Sequence, residues 1–199
     1  MSSFLGHTLA AITIHSIAKP YNSKPHLRVW LGWLVLIACA PDIDYIIPIF
    51  HPSSHQGMRI THSIFSSLLL PLFTIGILLL VGVRGQTLKT SSLQVILAGL
   101  SHPVMDLLVG VTPLPLLYPW NLQMFKLPFG ILPSAGRIKL NNYLFYKNLF
   151  IEMGVIAPLF FFVFIKSKGY EVLEKQKIIL MAMLFLSAYF MLWAFNLSR

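Results

Sequence analysis

Six polar residues interrupt an otherwise apolar chain: His7, Asp42, Asp44, His62, His102 and Asp106. Imidazoles and carboxylates mixed in this way are ligands for a divalent ion, zinc or manganese foremost, with iron a third choice. The whole chain holds only six acidic residues. An unpaired carboxylate inside an apolar run costs several kcal/mol or surrenders its charge, and a bound cation removes that cost. The ligand count suits one or two ions.

His102 and Asp106 stand four apart, so on a helix they share a face and point at one ion. The plainer alternative is a His–Asp hydrogen bond inside a buried helix. Pro103 between them removes a backbone donor and presses on the Gly99 carbonyl, which predicts a kink or a fresh helix start. Pro41-Asp42-Ile43-Asp44 closes the second apolar segment. Both carboxylates meet one ion only in an extended chain; otherwise one ligates and the other orients a histidine. Thr61 is placed to cap the next helix, with His62 in its opening turn and facing the bundle interior. Arg59 offers a planar positive fork for a phosphate or carboxylate of a substrate, or else an anchor at the headgroups. His55 is a further ligand or proton carrier, or an exposed loop histidine. His7 falls at the same level near the end of the first helix. Glu152 is a ligand or general base. His15 lies deeper, towards the basic side, and His26 and His51 sit in loops; none of the three is given a role.

These residues must be positioned by membrane helices. The chain has 199 residues, 56% hydrophobic and only 11% charged, with a mean hydropathy of +0.75. A water-covered globular domain is excluded by such a composition. The runs Ile64 to Val83 and Ile178 to Leu197 are long enough to cross a hydrocarbon core, which takes about 20 apolar residues. Leu149 to Ile165, carrying Glu152, and Leu93 to Val109, carrying His102 and Asp106, read as spans with functional ends. Phe4 to Ala18 and Leu27 to Ala40 are short, and are expected to be tilted, re-entrant or buried. The expectation is an all-α polytopic membrane protein, a bundle of about six helices in one domain over residues 1–199. Two longer connections, Pro41 to Thr61 and Gly110 to Lys147, are turn-rich. The second is dense in Pro and aromatics and is expected to lie at the interface, as a lid over the site or as a plain surface loop.

The net charge of +9 raises nucleic acid as a partner, but no basic stripe alternates with aromatics and no recognition motif is present. Charge instead reports orientation. Up-and-down threading puts Lys19, Lys24, Arg28, Arg84, Lys89, Lys166, Lys168, Lys175 and Lys177 on one side. Arg59, Lys126, Arg137, Lys139, Lys147 and Arg199 fall on the other. The denser side is predicted to be cytoplasmic, with both termini and the candidate ligands outside. No Lys or Arg precedes the first apolar stretch, so it reads as mature protein rather than a secretory signal. The single cysteine, Cys39, excludes an internal disulfide and a cysteine zinc site.

The order His7, Pro41-Asp42-Ile43-Asp44, His55-Gln56-Gly57-Met58-Arg59-Ile60-Thr61-His62-Ser63, Ser101-His102-Pro103-Val104-Met105-Asp106, Pro119-Trp120 resembles the bacterial inner-membrane metal-dependent hydrolases. Residues 5 to 125 carry the likeness. Gln56 stands where that family usually has Arg, and Pro119-Trp120-Asn121 replaces a Trp-Pro-Phe order. The ligand order has a more distant likeness to zinc-dependent phospholipase C and the P1-type nucleases, although no histidine follows Asp106. The resemblance implies a membrane-embedded hydrolase with His7, Asp42, His55, His62, His102 and Asp106 as ligands. Asp44, Arg59 and Glu152 are its candidate catalytic groups, and its substrate is a lipid-derived or lipid-linked ester or phosphoester. The competing readings are a proton-coupled or metal-ion transporter built on buried His and Asp, and a structural protein with satisfied buried ions.

Overall fold

A computed structural model describes residues 2–21, 24–45, 59–134 and 141–197. Among the described residues there are seven α-helices, in order α1 (Phe4–Ile17), α2 (Lys24–Cys39), α3 (Ile64–Leu80), α4 (Gly85–Val109), α5 (Tyr143–Ser167), α6 (Tyr170–Lys175) and α7 (Lys177–Phe195). Two 3₁₀ turns, Ala40–Tyr45 and Ile60–His62, flank the segment between α2 and α3. No strand is formed among the described residues beyond a single bridge between Leu114 and Phe125. The expected all-helical membrane bundle is present.

Span lengths differ from expectation in two places. The second segment is not short, because the 3₁₀ turn continues α2 into a largely apolar run of 21 residues, Lys24–Asp44. Ile64–Leu80 is shorter than expected at 17 residues, for the chain turns at Val81 and at Gly82, whose φ is 82°. The candidate spans by length and apolarity are therefore Lys24–Asp44, Gly85–Val109, Tyr143–Ser167 and Lys177–Phe195, with α1 and α3 as shorter apolar helices. Both α4 and α5 start earlier than their apolar runs. Gln86, Thr87 and Lys89 extend α4, and Asn142 caps α5 by accepting from Leu144 N at 3.2 Å.

Helices α1 and α4 are central. Ala11, Leu34, Ile37, Ala38, Val95 and Ala98 form one core among α1, α2 and α4, and Ala10, Met105, Ile151, Val155 and Phe190 form a second among α1, α4, α5 and α7. Adjacent alanines on α1 face the two cores, so small side chains let α2, α4 and α5 approach it closely. Outward faces are apolar: Phe73 on α3 is 62% exposed and Phe185 on α7 is 77% exposed. Such a surface is stable only against lipid.

Direction follows from contacts at the two ends. Gln94, near the start of α4, donates from Nε2 to the carbonyls of Ile14 (3.1 Å) and Ala18 (2.8 Å) and accepts from Trp30 Nε1 (2.7 Å). It thereby satisfies carbonyls that the end of α1 leaves without a helical partner. At the other end, Ser2 N donates to Asp106 of α4 at 2.7 Å and Ser3 N to Glu152 of α5 at 2.8 Å. Thus α1 and α5 run parallel to each other and antiparallel to α4. Gly99 sets the spacing of α3 against α4. A Cβ there would sit 2.8 Å from Pro71 Cγ and closer still to the Ser67 carbonyl oxygen.

Candidate metal centre

Five segments deliver a polar residue to one end of the bundle. His7 is in the first turn of α1, and Asp42 lies in the 3₁₀ turn that ends the α2 segment. His62 ends the 3₁₀ turn just before α3. His102 and Asp106 lie in the last turns of α4, and Glu152 in the third turn of α5. Thr61 is not the helix cap. Ser63 caps α3, accepting from Ser66 N at 3.1 Å, which leaves Thr61 and His62 in the turn ahead of it. Helix α4 also runs unbroken through Pro103, so no fresh start occurs there. Gly110 then closes it with φ of 64°, a left-handed cap that glycine takes without strain.

Asp42, His62, His102 and Asp106 are buried, and one ligand atom from each lies within 4.8 Å of all the others. His62 Nε2 is 3.3 Å from Asp42 Oδ1 and 3.4 Å from Asp106 Oδ2. His102 Nε2 is 3.6 Å from the same two oxygens. Four ligands at about 2.0–2.1 Å around a tetrahedral ion are about 3.3–3.4 Å apart, so the spacing is that of a slightly open coordination shell.

The protons make the case sharper. His102 Nδ1 lies 2.7 Å from the Ala38 carbonyl oxygen, an acceptor only, so Nδ1 carries the proton and Nε2 presents a lone pair. Thr61 Oγ1 donates to Asp44 Oδ2 at 3.1 Å and therefore accepts from His62 Nδ1 at 2.9 Å. A neutral His62 then presents a lone pair at Nε2 as well, whereas a ring protonated there would donate to Asp42 Oδ1 at 3.3 Å. Two lone-pair nitrogens facing two carboxylates repel, and carboxylates within 4.8 Å of each other add at least about 3 kcal/mol even at an effective dielectric of ~20. His102 Nε2 and Asp106 Oδ2 are buried with no hydrogen-bond partner. Two neutral imidazoles and two carboxylates carry a charge of about −2 together, and a divalent cation fits them in charge, donor type and spacing.

The other expected residues surround this group. His7 stacks on the His102 ring, centroids 4.0 Å apart, and its Nε2 is 3.7 Å from Asp106 Oδ1 and 3.9 Å from Asp42 Oδ2. Those are the carboxylate oxygens turned away from His62 and His102. Neither His7 nitrogen makes a hydrogen bond. Asp44 stands outside the four-residue group and holds His62 through Thr61. Arg59 is directed at Asp44, with Nε donating to Oδ2 at 2.7 Å and Nη2 to Oδ1, and it reaches Asp42 Oδ1 at 4.0 Å. The geometry thus assigns Asp42 to the cluster and Asp44 to its support. Glu152 is fully buried; its Oε1 accepts from Ser2 Oγ and Ser3 N, while Oε2 has no partner. His55 and Gln56 lie outside the described residues.

Ser2, Ser3 and the Ala38 carbonyl were not among the expected site groups. The Ser-Ser pair ahead of an apolar run is a visible capping signal, and Ser3 does cap α1, accepting from Gly6 N at 3.1 Å. That the same segment would reach across to α4 and α5 had no local signal. The Pro-rich connection packs over this end: Leu114 and Leu132 are buried, and the Leu116 carbonyl accepts from Ile64 N at 3.0 Å, next to His62. Trp120 stays exposed against Phe65, ring centroids 5.3 Å apart.

No curated protein and no solved structure matches the chain. The YdjM inner membrane protein family matches residues 1–197, and this chain, an apolar helical bundle with a buried His/Asp cluster, belongs to that family.

Proposed function

We propose that the protein is a membrane-embedded metal-dependent hydrolase acting on a lipid-derived or lipid-linked ester or phosphoester. The observation that supports this most is the convergence of the Nε2 lone pairs of His62 and His102 on Asp42 and Asp106, with both Nδ1 protons committed elsewhere. Asp42, His62, His102 and Asp106 would hold the ion, and His7 lies where it can join them or help hold a second. A zinc or manganese ion there supplies Lewis acidity and an activated water.

The chain's own groups supply the rest. Asp44 and Thr61 fix the His62 ring and its tautomer, and the Ala38 carbonyl does the same for His102. Glu152, with one oxygen held by Ser2 and Ser3 and the other without a partner, is the group best placed to take a proton. Burial under the 110–134 connection keeps bulk water away. Arg59 holds Asp44 and lends positive charge beside Asp42, which favours an anionic substrate over a neutral one.

Lys19, Lys24, Arg28, Arg84, Lys89, Lys166, Lys168, Lys175 and Lys177 flank helix ends opposite the cluster. By the positive-inside rule that end is cytoplasmic, and the site belongs to the extracytoplasmic leaflet. A transporter of protons or metal ions would need further clusters of His, Cys, Asp or Glu continuing through the bundle. Among the described residues the only group of three or more such ligands is this one.

The test is divalent metal content by mass spectrometry of detergent-purified protein, with His62→Ala and His102→Ala alongside. Near-stoichiometric metal that both variants lose, together with phosphoester or ester hydrolysis that a chelator abolishes, is the expected result. Metal-free protein in chelator-free buffers, or ion flux into proteoliposomes without hydrolysis, would sink the reading.

A further inference from the structure

A cavity of about 380 Å³ lies among α1, α4, α5 and α7, within the ~300–1,000 Å³ range of small-molecule sites. Its walls are apolar, including Ala10 on α1, Leu97 and Leu108 on α4, and Val155 and Leu159 on α5. Thr13 and Ser101 also line it. Thr13 Oγ1 donates to the Leu9 carbonyl and Ser101 Oγ to the Ala98 carbonyl, each at 2.8 Å. With both hydroxyls turned onto their own helices, a water inside would find no partners, and a cavity of this kind stays dry and takes apolar guests.

Its position says which guest. From Leu97 to Leu108 the wall runs about 16 Å along α4 at ~1.5 Å per residue. That is close to the ~15 Å half-thickness of a bilayer's hydrocarbon core. Leu97 and Val104, 39% and 55% exposed, form a lip on the outward face, so the cavity opens sideways to lipid. The metal centre lies beside it, with the cluster side chains outside the lining. Met105 lines the cavity and precedes Asp106, and around Gly6 three atoms converge: a Cβ there would lie 2.9 Å from Met105 Cε, 2.7 Å from Glu152 Oε1 and 2.8 Å from Ser2 Oγ. Ala10 follows His7, and Val155 follows Glu152, each by about one turn on the same helix face. On α1 and α5 the apolar space therefore begins about one turn past the polar residues, while on α4 it runs alongside them from Leu97 to Leu108.

We infer that this cavity holds one hydrocarbon chain of a membrane lipid whose polar end lies at the His/Asp cluster. The inference rests on the hydrolase reading and narrows its substrate to an ester or phosphoester bearing a long alkyl chain. Left empty, the lining would forfeit dispersion contacts that a chain restores. A chain sliding in from its leaflet crosses no water, and it sets the headgroup linkage beside Asp106 and Glu152.

The full-length protein is placed in phosphatidylethanolamine nanodiscs with a trace of phosphatidylglycerol carrying a mid-chain diazirine, photolysed, and its labelled peptides are mapped. Label is expected in 97–108 and 155–160. Filling the space with Leu159→Trp, or from another wall with Thr13→Leu, should lower that label by about ten-fold or more with metal content unchanged. Should one variant fail to accumulate, the other reads the same quantity. Label confined to outward residues such as Phe73 and Phe185, or unmoved by a filling variant, overturns the inference. The two readings fail separately. Hydrolysis of soluble bis(p-nitrophenyl) phosphate by protein whose cavity takes no label keeps the hydrolase and removes the chain site. Label in the cavity with no ester hydrolysed keeps the chain site and removes the hydrolase.

Discussion

Gly99→Ala is the substitution that ties the helix packing to the metal centre. Gly99 lies on α4 where α3 crosses closest, and an added Cβ would sit 2.8 Å from Pro71 Cγ and inside contact distance of the Ser67 carbonyl oxygen. The Ser67 carbonyl is backbone and cannot rotate away. Moving the Pro71 contact from 2.8 Å to the 3.4 Å of ordinary contact requires α3 to retreat by at least about 0.6 Å, and clearing the closer Ser67 carbonyl requires more, an overpacking strain of about 1–3 kcal/mol. His62 rides on the turn that leads into α3, and its Nε2 is held 3.3 and 3.4 Å from Asp42 and Asp106. A shift of that size exceeds the ~0.2 Å tolerance of metal–ligand distances several-fold. Metal affinity should then fall by at least about 10–100-fold, the range seen when supporting groups of a metal site are disturbed. The assay is competition with a chromogenic chelator, alongside thermal unfolding in detergent. Gly76→Ala is the control, because its Cβ would meet nothing within 4 Å and the change removes a helix-interior glycine, worth about 0.5–1 kcal/mol. Should Gly99→Ala bind metal and melt like Gly76→Ala, the argument that α3–α4 contact sets the His62 position is refuted.

Thr61→Val removes the hydroxyl between Asp44 and His62 while keeping shape, and metal affinity should fall about 10–100-fold with little change in unfolding temperature; an unchanged chelator titration would contradict the assigned tautomer. Glu152→Gln should retain the metal and lose most hydrolysis, about 10²–10⁴-fold for a general base; equal activity would return Glu152 to a structural role. Gln94→Ala strips acceptors and donors from Trp30 and the end of α1 at the opposite end of the bundle. It should cost about 1–3 kcal/mol of stability and leave metal content unchanged; loss of metal in this variant would show that the two ends are coupled.

Much of this arrangement is legible in the residues alone. Apolar runs of near-span length, a few ionisable residues placed at alternate ends of those runs, and lysines gathered at the other ends are local facts of composition and order. Lipid enforces them, because it forbids unpaired polar groups and makes helices the available solution. The i, i+4 pairing of His102 with Asp106 follows from helix geometry, and both face the cluster. Span limits were less legible, since the 3₁₀ turn after Cys39 and the break at Gly82 depend on where neighbouring helices satisfy the backbone.

The choice between Asp42 and Asp44 belonged to tertiary structure. Two carboxylates two residues apart are equivalent until Thr61 and Arg59 arrive from a segment 15 to 17 residues away and bind one of them. The proton positions on His62 and His102 were decided in the same way, by a hydroxyl and by a carbonyl on α2. The reach of Ser2 and Ser3 to Asp106 and Glu152 spans more than 100 residues of chain and leaves no periodic trace. The apolar cavity exists only between packed helices, where the side chains of α1, α4, α5 and α7 fail to fill the space. Helix periodicity and hydrophobicity act over a few residues and can be read directly, whereas ligand identity, tautomer and cavity arise from contacts between distant segments that only the assembled bundle brings together.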